Sequence, residues 1–398
     1  MWFGRLTLRL LRLLTATSSG GSASGTDGSR AKEYNRTKQR VMLIGLAASM
    51  VGGAIFALSG LPLQISERID RFSPNKWVRR SIFAGILTVG ELFVGLPLGY
   101  FSGYTIEHRY GLSNQSRMGW LSDQLKGLAV SLPFAAFGAN LVLEIIERWP
   151  KRWWAIATSL ALPFTVLLSQ LSPVLLMPIF NKFEPLQDTE LATRLTALAK
   201  ESGINVASVM QMDMSRQTNK ANAFFAGMGR TRRIVLADTM LNRFTPEEID
   251  VVVAHEIAHQ AHRDLWWLIG VGTVFTAAIS WSVDLVAKRL VRECGEQFKL
   301  SSISHVSALP LLSWLLAVVA FALAPIQNAV SRVIERRADT FALRLTEDPK
   351  SFESAMRLLG EMNLADPKPS AFVKYTMYSH PPIAERVARA QRFARGEG

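Results

Sequence analysis

Cysteine is almost absent: Cys294 is the only one in 398 residues, which excludes an internal disulfide and any cysteine-rich metal centre. Charge is sparse too. Charged side chains make up 19% of the chain against 49% hydrophobic ones, and mean hydropathy is positive, an unusual balance for a soluble enzyme. The net charge is +13, yet no RNA- or DNA-binding signature accompanies it, so nucleic acid is set aside as a partner. Basic residues flanking apolar runs fit anionic lipid headgroups better. Internal repeats are not evident, and no acid precedes Asp27.

What is present falls into blocks. Residues 1–40 are arginine-rich, then serine- and glycine-rich. They are expected to be a basic, flexible tail that fits an organelle transit peptide or a segment lying on a membrane. Six apolar runs follow: Val41 to Gln64, Ser81 to Tyr104, Gly127 to Ile146, Trp153 to Phe180, Leu265 to Ala287 and Val306 to Val330. Each reaches the roughly 20 residues needed to cross a bilayer core of about 30 Å. Buried core helices of a soluble protein would not be so many or so long. The expected fold is mainly α: a polytopic helical membrane protein with about six spans and a small α+β domain. Four spans occupy 41–180, the α+β segment 181–264, two spans 265–330 and a C-terminal segment 331–398. Glu91, Asn140 and Glu144 lie within spans; such groups line a hydrated cavity or pair with polar neighbours near a helix end.

The stretch that organises the rest is TPEEIDVVVAHEIAHQAHRD, residues 245–264. Thr245, Pro246 and Glu248 form a capping-box start, and Ile249, Val252, Val253 and Ile257 recur at helical spacing. On that helix His255 and His259 share a face, so two imidazoles can grip one metal ion. Glu256 can take a proton from metal-bound water. This H-E-x-x-H spacing is the zinc-hydrolase arrangement, although a surface helix with two solvated histidines would read the same way. A third ligand is needed to decide. His262 is too close along the same helix, and position 265 is Leu265, so the longer H-E-x-x-H-x-x-G-x-x-H form is absent. Glu335 and Asp339, one turn apart in SRVIERRADTFA (331–342), can supply a ligand and a carboxylate that holds a ligand histidine's second ring nitrogen. Read alone, that pair is an ordinary charged helix face partnered by Arg336 or Arg337.

With HEIAH at 255–259 and SRVIERRAD at 331–339 go NAFFAG at 222–227, RIVLADTML at 233–241, YSHPPIAER at 378–386 and the looser NKFEPL at 181–186. In this order the chain resembles the type I CAAX prenyl endopeptidases, integral-membrane gluzincin zinc metallopeptidases, from about Ile106 to Arg389. The resemblance implies one Zn2+ per chain on His255, His259 and Glu335, with Glu256 as general base. It implies that His380 and Arg386 stabilise the tetrahedral intermediate or orient the site. It makes the NAFFAG strand an edge that pairs with extended substrate through Asn222 and Ala223. Family members carry seven spans, and this chain is expected to lack the first, because EHRYGLS (107–113) follows the second run.

With six spans, the N-terminus, 181–264 and 331–398 fall on one side by parity, which is expected to be cytoplasmic. SERIDRFSPNKWVRRS (66–81), with five basic residues, runs against that orientation. A bacterial inner membrane, the endoplasmic reticulum and an organelle membrane all fit. The expected partners are the bilayer and a peptide or protein substrate, prenylated or membrane-bound. Three other readings stay open: a heat-shock-type quality-control metalloprotease, a site-2-type intramembrane protease, and a non-enzymatic scaffold or transporter. The site-2 type is disfavoured by the missing LDG motif.

Overall fold

The structure, a computed structural model, describes residues 27–397; the arginine-rich opening lies outside the described residues. Among the described residues, six helical stretches are long and apolar enough to cross a membrane. The first is α1 (Asp27–Leu58), and the amphipathic α2 (Leu61–Asp70) follows it. The second stretch is α3 (Lys76–Tyr100), prolonged through one π-helical turn (Phe101–Thr105) into α4 (Ile106–Arg109). The third is α5 (Arg117–Arg148); the fourth is α6 (Trp153–Leu171), continued through a second π-helical turn into α7 (Met177–Phe180). Phe93 and Val94, on α3, are 69% and 71% exposed. Such apolar area is unfavourable in water, at about 25 cal/mol per Å², and is accounted for by lipid.

Residues 27–40, expected in a flexible tail, are helical. The sequence-local pattern is polar, but distant partners hold it: Tyr34 donates to the Glu107 carboxylate at 2.8 Å and Lys38 pairs with the same oxygen at 2.8 Å. The first apolar run, expected to continue to Gln64, breaks instead at Gly60, whose φ of 73° redirects the chain into α2. Glu144 follows the plain reading of a polar pair near a helix end, meeting Lys76 at 2.8 Å, Arg80 at 3.1 Å and Arg148 at 2.8 Å. Asn140 is tied likewise, donating to Ser81 Oγ at 2.9 Å and the Ala136 carbonyl at 2.9 Å.

After α7 the chain leaves its fourth span and forms β1 (Phe183–Pro185), α8 (Thr189–Glu201), β2 (Ser208–Met212), β3 (Ala223–Ala226) and β4 (Arg233–Ala237). The sheet order is β1-β2-β4-β3, so β3 is an edge. β2 and β4 are parallel, and the other two pairs are antiparallel. The turn from β3 to β4 needs Gly227: its φ is 79°, and a Cβ there would lie 2.4 Å from the Thr231 carbonyl oxygen. A short α9 (Asp238–Leu241) precedes α10 (Pro246–Ala261).

Two membrane helices then follow, α11 (Asp264–Phe298) and α12 (Leu309–Thr346), and the chain ends in α13 (Pro349–Met362), α14 (Ala371–Met377) and α15 (Ile383–Ala394). One apolar core joins the sheet, α8, α10 and α13 with the end of α12 and with α15. Residues 331–346, read in sequence as a separate segment, thus continue the last membrane helix without a break.

Candidate metal centre

The helix that carries the histidines forms where its caps demand. Thr245 Oγ1 accepts from Glu248 N at 3.3 Å, and the Glu248 carboxylate accepts from Thr245 N at 2.9 Å, so two orphan donors are satisfied. Its other end is abrupt. His262 caps α10, and Arg263 takes the left-handed conformation (φ 56°), which costs an L-residue about 1–2 kcal/mol. That turn sends α11 off in a new direction and returns its first residue, Asp264, toward α10. Val251, Val253, Ala254, Ile257 and Ala258 are fully buried, which locks the helix and hence the direction of its polar side chains.

α10 packs against α12, and His255, His259 and Glu335 converge between them. One ligand atom from each lies within 4.8 Å of the others. His255 Nε2 is 3.2 Å from Glu335 Oε2, and His259 Nε2 is 3.7 Å from Oε1. Both other ring nitrogens are already engaged: His255 Nδ1 lies 3.0 Å from Asp339 Oδ1, and His259 Nδ1 lies 2.9 Å from Asp264 Oδ2. A proton held at each Nδ1 leaves each Nε2 with a lone pair facing a carboxylate. Glu335 Oε2 is buried with no hydrogen-bond partner. Lone pairs gathered around an orphaned carboxylate oxygen call for a cation, so this donor set fits a metal ion, and N2O1 ligation suits zinc. Without a cation a proton takes its place: burial lowers the His255 imidazole, but Asp339 and Glu335 outweigh it and raise it to about 9.

Each aspartate is in turn held by an arginine. Arg386, buried on α15, donates through Nε to both Asp339 oxygens at 3.1 Å and through Nη2 to Oδ1 at 2.5 Å. Asp264, 1% exposed, pairs with Arg337. The site therefore contains two relays of the same form, His255–Asp339–Arg386 and His259–Asp264–Arg337. Asp264 and Arg337 were not singled out from sequence. Their only signal is an acid five residues beyond His259 and a cation two beyond Glu335, which acquire meaning when the chain reverses at Arg263.

Glu256 is half-buried; burial raises its carboxyl above the ordinary glutamate range, and His255 and His259 offset this only in part. His380 stands in the loop before α15, 3.4 Å through Nε2 from Glu335 Oε2 and 2.9 Å through Nδ1 from Ser379 Oγ. The prolines after it force an extended backbone at His380. Asn222 and Ala223 stand at the start of the edge strand. There the Asn222 carbonyl accepts from Ala237 N at 3.0 Å, and β3 packs against α10. His262, set aside as a ligand, packs edge-on against Phe341 with ring centroids 5.3 Å apart.

A metal-ready H-E-x-x-H helix, completed by a glutamate on a membrane helix, defines the class: a multi-pass membrane metallopeptidase. Comparison with known proteins agrees. A family profile described as peptidase family M48 matches residues 185–394, and one described as the CAAX prenyl protease N-terminal region, with five membrane helices, matches 21–182. The chain belongs to peptidase family M48, within the CAAX prenyl endopeptidases. It is 31% identical over 362 residues to an uncharacterized metalloprotease of Bacillus subtilis, YhfN, covering 91% of this chain and 85% of that one. It is 28% identical over 387 residues to CAAX prenyl protease 1 of Saccharomyces cerevisiae, covering 90% and 84%. The crystal structure of S. mikatae Ste24p superposes with a TM-score of 0.77 at 24% identity, over 97% of this chain and 94% of that one, which establishes the common fold. Against the five helices of the matched region, the described residues up to Phe180 hold four stretches able to span, with the shorter α2 beside them.

Proposed function

We propose that the protein is a zinc metalloendopeptidase in which His255, His259 and Glu335 hold the metal. The observation that carries this is the buried Glu335 carboxylate, one oxygen of which has no hydrogen-bond partner, set between the Nε2 atoms of two imidazoles whose other nitrogens are already committed. Zinc bound there supplies a Lewis acid that lowers the pKa of water from about 15.7 to about 7.

The side chains do the rest. Glu256 accepts the proton of the attacking water and returns it to the leaving amine; a carboxyl raised by burial is closer to the basicity this needs. His380, in an exposed loop beside Glu335, donates to the oxyanion of the tetrahedral intermediate. Arg386 is turned onto Asp339, which favours orientation of His255 over contact with substrate. Substrate lies extended along the free edge of β3, with Asn222 and Ala223 at the start of the paired register.

The names of the relatives direct the substrate reading to proteins bearing a prenylated CAAX tail, and the membrane helices favour substrates already at a bilayer. The active site faces the cytoplasm in this reading. The test is zinc content of detergent-purified protein together with a chelator-sensitive peptidase assay. About one zinc per chain, lost in Glu335→Ala and retained without activity in Glu256→Gln, is the expected result; metal-free, inactive wild type sinks the proposal.

A further inference from the structure

Away from the metal centre, on the other flank of α12 and α15, lies a cleft of about 570 Å³. Its charged lining is Arg336, Lys368, Lys374, Arg389 and Arg392 against one acid, Glu385. Glu385 is taken by Lys374. Among the described residues no carboxylate lies within ion-pair distance of the other four cations; Arg389 has only the Thr340 hydroxyl, at 3.1 Å. Burial, and then the Arg392 and Arg336 guanidiniums acting against Asp339, hold Arg389 below the ordinary arginine range. Convergent like charges in a cleft are repulsive, and a multivalent anion relieves that repulsion.

The position of the cleft says which anion. α14, whose Lys374 contributes to the wall, is fastened to α12 where the uncharged run 306–331 ends. Asn328 donates to the Thr376 carbonyl at 2.8 Å, and Arg332 donates to the Lys374 carbonyl at 3.1 Å. At this level α14 turns Phe372 and Tyr375 outward, 69% and 57% exposed. Exposed aromatics at the height where a membrane helix leaves the hydrocarbon are interfacial anchors. Cations just beyond them sit at the depth of lipid phosphates.

We propose that this cleft binds the phosphate headgroup of an anionic phospholipid, with Phe372 and Tyr375 seated among the neighbouring acyl chains. The proposal is independent of the chemistry at the metal centre. The test is binding of phosphatidylglycerol and phosphatidylcholine to delipidated full-length protein in detergent, followed by native mass spectrometry. Phosphatidylglycerol is expected to bind at least about tenfold tighter. At about a fivefold contribution per basic residue near the lipid surface, Lys368→Gln with Arg392→Gln weakens it about thirtyfold. Arg357→Gln, a single charge loss on α13 outside the cleft, leaves it unchanged. Phe372→Ser weakens lipid binding with the cations intact. Equal binding of the two lipids, or wild-type affinity in the double variant, overturns the proposal. So does displacement of phosphatidylglycerol by inorganic phosphate at equal concentration, which identifies a free-phosphate site.

Discussion

Asp339→Asn separates two roles that a metal-site carboxylate can have. Asparagine keeps the shape and one acceptor for His255 Nδ1 but removes the negative charge beside Arg386. That arginine makes three contacts to Asp339, of 3.1, 3.1 and 2.5 Å, and both side chains are at most 10% exposed. Removing one partner of a buried pair costs about 3–5 kcal/mol, because the other charge stays in the interior uncompensated. Glu335 and Glu256 lie close enough to relieve Arg386 in part, which places the expected loss near the lower bound, about 3 kcal/mol. At about 2–4 °C per kcal/mol this is a drop in Tm of about 6–12 °C. The control is Asp264→Asn. Its arginine, Arg337, is 49% exposed, so water replaces the lost partner and destabilisation stays under about 1 kcal/mol. Both variants weaken metal binding about 10–100-fold, the usual effect of losing a carboxylate behind a ligand histidine. The assay is intrinsic tryptophan fluorescence during heating in detergent, with chelator present to remove any contribution from metal, and a separate zinc titration. Equal Tm shifts in the two variants, or a wild-type Tm in Asp339→Asn, would refute the buried-pair reasoning.

Glu256→Gln is expected to lower kcat by about 10²–10⁴, the usual range for a general base, while zinc content stays near that of the wild type; loss of metal in this variant would place Glu256 among the ligands. His380→Ala should reduce kcat about 10²–10³ with little change in KM, as for removal of an oxyanion donor, and an effect confined to KM would move His380 to substrate binding. Zinc at 100 times its Kd should stabilise the chelated enzyme by about 2.7 kcal/mol, seen as a rise in Tm that Glu335→Ala abolishes. Proline at Phe225, inside the β3 edge, removes a backbone donor and is expected to raise KM for an extended peptide more than it lowers kcat. Equal cleavage by this variant would exclude strand addition.

The parts of this protein legible in sequence are those fixed by local rules. Thr245, Pro246 and Glu248 announced the start of α10, and the recurrence of apolar residues placed His255 and His259 on one face. The span centres were legible because a bilayer imposes length and apolarity at the same time. What was not legible depends on contacts between distant residues. Residues 27–40 are helical because Glu107, some seventy positions away, gathers Tyr34 and Lys38. β1 is a strand because the β2 edge pairs with it, since three residues carry no periodicity of their own. Asp264 had no role assigned from sequence, yet it holds His259, because Arg263 adopts a conformation that L-residues avoid.

The continuity of α12 ties the catalytic geometry to the membrane. Residues 306–331 carry no charge, the first cation is Arg332, and Glu335 follows three residues later, about 4.5 Å further along the helix axis at about 1.5 Å per residue. A loop between the span and the ligand would have let the metal-binding residues ride at any height above the lipid. An unbroken helix does not. Arg332 also holds the Lys374 carbonyl at 3.1 Å and pairs with that of Tyr378, so the segment leading to His380 hangs from the same rod that presents Glu335. Asp339, one turn above Glu335, brings Arg386 and α15 into register with it. Glu335, Asp339 and the His380 loop are therefore placed by a single lipid-anchored helix, whereas His255, Glu256 and His259 are placed by α10 within the sheet-bearing core. The metal centre forms only where those two bodies meet. Under the proposed function, peptide must therefore reach the metal centre within about one helical turn of the end of the uncharged run.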